Sequence, residues 1–420
     1  MTESHPVAGA RPPLMDAGAI LDACDALAAL SASKDHIERV YLSAEHAAAN
    51  RLAGEWMAAA GMTVWQDAVG NLCGRYEGRE PELPALLLGS HLDTVVNAGR
   101  YDGILGVLLA IGVVARLHAR GERLRHAVEV IAFADEEGTR YGTALFGSLA
   151  IAGGWQQRWW QLVGREGASL GEAFEQFGLD RARVAEAARP PGSVMAYLEA
   201  HIEQGPQLED RDLPLGVVTS IAGARRFEIS LGGRAGHAGT TPFALRHDAL
   251  CGASEAVIAI EALARAADDV VATVGQLSVT PGAVNVIPAG VTMSLDIRSD
   301  RDTSRDRVIE AIEETIGNIA DQRGLSVAWR ETHSAPAVQC AGWLCERLDS
   351  AVEQAAGSSL RLASGAGHDG MAVAGLCDIA MLFVRCRGGL SHHPDESVRE
   401  DDVAAALDAM GLAVRSIAEG

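Results

Sequence analysis

The sequence predicts an α/β fold: a mixed, mostly parallel sheet flanked by helices, interrupted by an inserted α+β domain. Three observations carry this expectation. The apolar runs Ala85–His91 and Val128–Phe133 have the character of strands buried on both faces of a parallel sheet. A helical stretch from Ile104 to His118 lies between them, making a strand–helix–strand unit whose crossover is right-handed in nearly all proteins. From about Ala222 the texture changes to strands and helices of an antiparallel α+β kind, and it reverts after Pro336.

Taken in order, residues 16–60 read as helices, with Ile20, Leu21, Cys24, Leu27 and Leu30 at helical spacing. A second helix around Ala44–Ala60 stops at Gly61, a residue suited to the left-handed position that ends helices. Thr63–Trp65 and Leu72–Tyr76 flank a Gly70-Asn71 turn and read as a short strand pair. Within the insert, Arg226–Leu231 alternates as a half-exposed strand, followed by a helix over Arg246–Ala266. Strands over Val270–Val279 and Val291–Ile297, a helix over Ser304–Gln322 and a strand over Leu325–Arg330 complete it. Ile379–Val384 is a strand of the returning domain. The expected division is 1–221, 222–335 and 336–420, the first and last segments forming one domain.

A chain of 420 residues is too long for one ordinary core, which agrees with two domains. A formal charge of −21 argues against nucleic acid and anionic membranes, because phosphates are repelled at long range. It leaves room for a small anionic substrate held by local cations. Met1–Pro13 shows no secretory pattern, and the apolar stretch Gly103–Ala115 is too short for a bilayer span of about 20 residues. The seven cysteines contain no C-x-x-C pair and read as buried structural thiols in a reducing cytoplasm.

The chemistry concentrates in five clusters: His91-Leu92-Asp93, Asp102-Gly103, Asp135-Glu136-Glu137-Gly138, His201 to Gly205, and Ser391 to Glu396. Any one of them alone reads as a hydrogen-bonded turn or a solvated acidic face. Two of them, however, lie at the carboxyl ends of the two predicted strands, where open α/β sheets place their ligands. Imidazole with carboxylate and no thiolate suits zinc, manganese, cobalt or nickel, and argues against a closed structural zinc site. A pair of such ions needs a bridging carboxylate, terminal ligands and a vacancy for water, and the clusters supply enough groups.

At these residues the chain resembles the M20 metallopeptidase clan, in its hydantoinase/carbamoylase amidase branch. The resemblance is carried by Gly89 to Thr94, Asn97 to Gly103, Phe133 to Gly142, Tyr197 to Pro206 and Gly236 to Pro242. It continues in Asn285 to Pro288, Gly365 to Gly370 and Gly389 to Pro394. It implies two divalent ions, Zn2+ or Mn2+ with Co2+ or Ni2+ as alternatives. Asp102 would bridge them, His91 and His201 would complete one, and Glu137 with His392 the other. Glu136 would be the general base that takes a proton from water and passes it to the leaving nitrogen. Asp93 would support His91 and hold its tautomer. His393 and His368 remain open, as ligand and as site wall respectively.

The same resemblance gives Arg298 as a bidentate clamp for a substrate carboxylate, with Gln204 and Asn285 as further hydrogen-bonding groups. His237, in Gly236-His237-Ala238-Gly239, would stabilise the developing oxyanion, reaching across a homodimer formed through the inserted domain. That domain would act as a lid that closes on the substrate. Imidazole at His201, followed by Glu203-Gln204-Gly205-Pro206, is similar to the ureido-cleaving branch rather than to the peptidases. The substrate expected is therefore a small carboxylated ureido compound, first allantoate, and alternatively an N-carbamoyl-L-amino acid. An aminopeptidase, a deacylase or a metal-free binding module fits these residues less well. Phe243 stands where many relatives have methionine, which leaves the side-chain pocket open. His5, His36, His46, His118, His126, His247 and His333 read as solvated or structural.

Overall fold

The computed structural model describes residues 13–420. The expectations for His5 and for nearly all of Met1–Pro13 fall outside that range. The chain forms two compact units, one running to Thr219 and resuming over Cys340–Leu362 and His368–Gly420, the other comprising Ser220–Gln339 and Ala363–Gly367. None of the helices among the described residues is long and apolar enough to cross a membrane.

In the first unit the strand Ala85–His91 lies at the centre of a mixed sheet, paired in parallel with Val128–Phe133 on one side and Val194–Ile202 on the other. Asp378–Val384 continues the parallel set beside Val194–Ile202. Antiparallel strands finish both flanks, Leu72–Tyr76 and Thr63–Gln66 on one, Leu215–Ile221 on the other. The expected mixed sheet flanked by helices is therefore present, but its continuous parallel part is these four central strands rather than most of the sheet. From Ala85–His91 the chain crosses to one side through the helix Ile104–Ala119, then later returns to the opposite side. Such a reversal opens a crevice at the carboxyl ends of the strands.

Helix Ile104–Ala119 is buried on nearly every side, between the sheet and the helices Ala17–Ala28 and Glu400–Ala418. Each buried Leu, Ile or Val on it contributes about 1.5–3 kcal/mol relative to exposure. Gly106 allows it to touch the sheet, since a Cβ there would fall 2.0 Å from the carbonyl oxygen of Ala200. The helices start where side chains can take their orphan N–H groups: Asp16 accepts from Ala19 N and Ser43 from His46 N.

One central element was not read from the sequence. Val194–Ile202 is a buried strand although Tyr197, Glu199 and His201 interrupt its apolar run. The fold tolerates Glu199, fully buried, because Ser90 Oγ and Gly370 N donate to its two oxygens at 3.1 Å each.

The second unit is an antiparallel sheet ordered Leu277–Thr280, Gly290–Ser299, Gly223–Gly232, Ser326–Ala335, with Val270–Thr273 also paired to Gly290–Ser299. Helices Ala249–Arg265 and Asp302–Arg323 pack on it, closing a core of Ile229, Leu231, Ile260, Leu295, Ile297, Ile312 and Ile316. Two expectations need correction. The single strand over Val270–Val279 is two strands, Val270–Thr273 and Leu277–Thr280, separated at Val274–Gln276. The cysteines are all free thiols but not all buried: Cys251 is exposed on helix Ala249–Arg265, and Cys340 and Cys377 are half-buried. Helical periodicity turns Cys251 away from the sheet while its neighbours Ala249 and Ala253 face inward.

Candidate active site

Six of the side chains singled out in the sequence converge at the carboxyl edge of the parallel strands. His91 ends its strand and His201 stands one residue before the end of the next, their ring centroids 5.8 Å apart. Asp102 lies in the turn before helix Ile104–Ala119, with Oδ1 3.2 Å from His201 Nε2 and Oδ2 3.0 Å from His392 Nε2. Glu137 Oε1 is 3.6 Å from the same His392 nitrogen, and Glu136 Oε2 is 3.9 Å from His91 Nε2. Donor atoms of His91, Asp102 and His201 lie within 4.8 Å of one another, as do those of Asp102, Glu137 and His392, and those of His91, Glu136 and Glu137. Asp102 belongs to two of these groups, the position a bridging ligand needs.

Local structure explains why these residues meet. Gly103, at φ +72°, carries no Cβ, and one placed there would fall 2.3 Å from His91 Nε2. The glycine after Asp102 therefore makes room for the imidazole. His91 Nδ1 donates to the backbone oxygen of Asp93 at 3.0 Å, and His201 Nδ1 to that of Ile202 at 2.9 Å. Both rings thus turn Nε2 toward the cluster. The Asp93 carboxylate, 3.5 Å from His91 Nδ1, accepts from Glu136 N and Glu137 N at 3.0 and 3.1 Å. It locks the two glutamates to the histidine turn, a wider role than the expected support of His91. Asp135, Gln204 and His392 all adopt positive φ, between 55° and 61°. Strain of this kind in non-glycine residues costs on the order of 1–3 kcal/mol each and concentrates at functional sites.

Gln204 does not present its amide nitrogen to open space. Its Nε2 donates to Asp102 Oδ1 and Oδ2 at 3.1 and 3.2 Å and to Ser391 Oγ at 3.0 Å, while its buried Oε1 has no hydrogen bond. His393 is half-exposed beside Asp395, whereas His368 is buried with its ring 4.5 Å edge-on from His201. Asn285, His237 and Arg298 belong to the second unit. There the backbone oxygen of Asn285 accepts from Ala238 N at 2.9 Å, beside His237. Arg298 Nε and Nη2 donate to Asp296, and Nη1 to the backbone oxygen of Gly365.

Two residues without an assigned role in the sequence reading hold the site. Arg39, 1% exposed, donates to the backbone oxygens of Leu92, Leu27 and Leu30 at 2.6–2.9 Å, fixing the His91–Asp93 turn to a helix end. Nothing local in His36-Ile37-Glu38-Arg39 marks it. Glu396 accepts from Tyr101 N and Asp102 N. Its place in the Ser391–Glu396 cluster was the available signal.

The electrostatics are one-sided. Burial pushes Glu136 well above the usual carboxyl range against the pull of His91, and burial with Asp102 lifts Glu137 to about 7. The hydrogen bond to Asp102 raises His392 to about 9. Burial would lower His91, yet the hydrogen bond to Asp93 and the surrounding carboxylates hold it well above its ordinary value. Burial likewise works against Asp102 ionising, but His201 and His392 keep its carboxyl low. A buried pocket with this excess of negative charge, all nitrogen and oxygen donors and no thiolate, fits divalent cations.

This arrangement suits the site of a hydrolase, built at the switch point of an α/β sheet. The family model for peptidase family M20/M25/M40 matches residues 87–416, and the chain belongs to that family. It is 41% identical over 384 residues to an N-carbamoyl-L-amino acid amidohydrolase of Geobacillus stearothermophilus, covering 91% of this chain and 94% of the relative. It is 39% identical over 428 residues to allantoate deiminase 1 of Glycine max, covering 94% and 87%. A crystal structure of a hydantoinase/carbamoylase family amidase from Burkholderia multivorans superposes with a TM-score of 0.90 at 30% identity, over 97% of this chain and 98% of that one. The chain is accordingly an enzyme that hydrolyses carbon–nitrogen bonds outside peptides.

Proposed function

We propose that the protein hydrolyses the ureido C–N bond of a small carboxylated substrate, with two divalent ions, and that allantoate is that substrate. The observation that carries the reading is Asp102, shared between a His91–His201 group and a Glu137–His392 group, with Glu136 beside them. Zn2+ or Mn2+ held by these donors would supply Lewis acidity, polarising the ureido carbonyl and making water acidic near neutral pH. Every other part belongs to the chain. Glu136, made more basic by burial, takes the proton of the attacking water and delivers it to the leaving nitrogen. Gln204 Oε1, a buried acceptor without a donor, is suited to a ureido N–H. Arg298 spends three of its five N–H donors on Asp296 and Gly365, leaving one on each Nη, the pair that forks a carboxylate. His237 would donate to the oxyanion and Asn285 to the substrate amide. As in the sequence-based expectation, we place the lid role and a homodimer contact on the second unit, and the enzyme in the cytoplasm.

A second reading, an N-carbamoyl-L-amino acid hydrolase, is favoured by the nearly equal identity to relatives of that name. It uses the same base and clamp and differs only in the side-chain pocket. A turnover panel tests both. Purified protein, before and after chelation and metal restoration, is given allantoate, ureidoglycolate, N-carbamoyl-L-amino acids and dipeptides while ammonia and amine release are followed. Allantoate should be turned over fastest, and only in the metal-loaded protein. Preference for carbamoyl amino acids would replace allantoate with the second reading, and full activity after chelation would end the metal-dependent account.

A further inference from the structure

We propose that Glu396 is the positioning residue that sets the spacing of Asp102 and His392, and that Gly99 is the space that admits it. The proposal rests on the metal-site reading above. Glu396 is 4% exposed. Its Oε1 accepts from Tyr101 N at 2.8 Å and Asp102 N at 3.1 Å, and its Oε2 from Ser391 Oγ at 3.2 Å. Ser391 Oγ also lies 3.1 Å from Asp102 Oδ2. One carboxylate therefore ties the turn carrying Asp102 to the loop carrying His392, although Glu396 and Asp102 are 294 positions apart in sequence.

His392 needs such a tie. Its side chain is 50% exposed and its φ is +55°, so side-chain packing alone does not orient it. Glu396 N donates to the His393 backbone oxygen at 3.1 Å, closing a turn that moves His393 and Glu396 together, with His392 at its border. Both Glu396 oxygens are taken up by protein donors, so the carboxylate acts through Asp102 and His392 rather than on a substrate.

Gly99 supports the assignment from the other side. A Cβ at this position would lie 2.3 Å from Glu396 Cδ and 2.4 Å from both its Cβ and Oε1. Contact with the Glu396 Cβ cannot be relieved by swinging the carboxylate alone, so any side chain at 99 displaces the whole residue.

The test measures metal binding to metal-free protein by calorimetric titration with Zn2+ and with Mn2+, alongside thermal melting of the metal-free form. Glu396→Ala should weaken one of the two bound equivalents by about 10–100-fold, the usual effect of removing a residue that orients a ligand. Glu396→Gln keeps the reach and an acceptor oxygen for the two N–H groups, and should stay within a few-fold of wild type. Glu396→Asp keeps the charge but falls short, and should behave like Glu396→Ala. Gly99→Ala should weaken the same equivalent, because its Cβ would fall on the Glu396 Cβ and Cδ and displace the residue.

Wild-type binding in Glu396→Ala, or recovery by Asp but not Gln, overturns the positioning role. If Glu396→Ala fails to fold, the contrast between Gln and Asp decides. Failure of the wild-type protein to bind any divalent ion would bring down the metal-site reading and this proposal together. Two ions bound with no effect at Glu396 would defeat the proposal alone.

Discussion

At the scale of single residues, the site depends on side chains whose oxygens and nitrogens are already committed. His91 and His201 spend Nδ1 on backbone carbonyls and so turn Nε2 toward the cluster, while Asp93 spends its carboxylate on the amides of Glu136 and Glu137. Glu136 stands beside them, 3.9 Å from His91 Nε2. Glu136→Gln should retain bound metal while turnover falls by about 10²–10⁴-fold, the range for a lost general base. Metal analysis and steady-state kinetics on one preparation check this, and wild-type turnover would remove Glu136 from the base role. Gly103→Ala should act through His91 instead. A Cβ there meets the imidazole at 2.3 Å and the backbone sits at φ +72°, where a side chain costs about 1–3 kcal/mol. A lowered melting temperature together with a lost metal equivalent is the expected result.

At the scale of elements, the strand Val194–Ile202 and the helix Ile104–Ala119 decide where His201 and Asp102 stand relative to each other. Their contact is made at Gly106, where a methyl group would meet the Ala200 carbonyl oxygen, one residue before His201. Gly106→Ala should therefore cost about 1–3 kcal/mol by overpacking, and should weaken metal binding by moving the strand that carries His201. Urea denaturation paired with metal titration separates the two effects. Lost stability with unchanged affinity would show that the strand yields without carrying His201 along. The helix was legible in the sequence because Ile104–Ala119 is apolar on nearly every face. The strand was not, because Glu199 and His201 look exposed until Ser90 and Gly370 are in place to satisfy the one and Asp102 the other.

At the scale of the whole molecule, acid should unfold the protein in part through His46. Burial lowers this imidazole from 6.5 to about 4, while Leu42 N donates to its Nδ1 at 3.1 Å. The folded state keeps the ring neutral where the unfolded chain would take up a proton. The stability this contributes is whole above pH 6.5 and drains away as the pH falls toward 4, reaching about 3 kcal/mol at the acid limit. Chemical denaturation at pH 7 and pH 4.5 should show a flatter loss in His46→Gln than in wild type. Parallel losses would mean that His46 does not titrate on unfolding.

What the sequence by itself determined was the kind of fold and the kind of chemistry. Buried apolar runs at Ala85–His91 and Val128–Phe133 define parallel strands, and imidazoles and carboxylates at their ends define a place for cations. Those are local properties, readable from residue type and spacing. Tertiary structure alone decided which of the many acids and histidines share a pocket. It put Gln204 on Asp102, left His393 at the surface, buried His368 against His201, and recruited Arg39 and Glu396 from segments distant in sequence. The physical reason is that hydrogen-bond partners and burial are set by chain segments far apart in sequence, from 53 positions for Arg39 and Leu92 to 294 for Asp102 and Glu396, and no periodicity along the chain encodes which of them will meet.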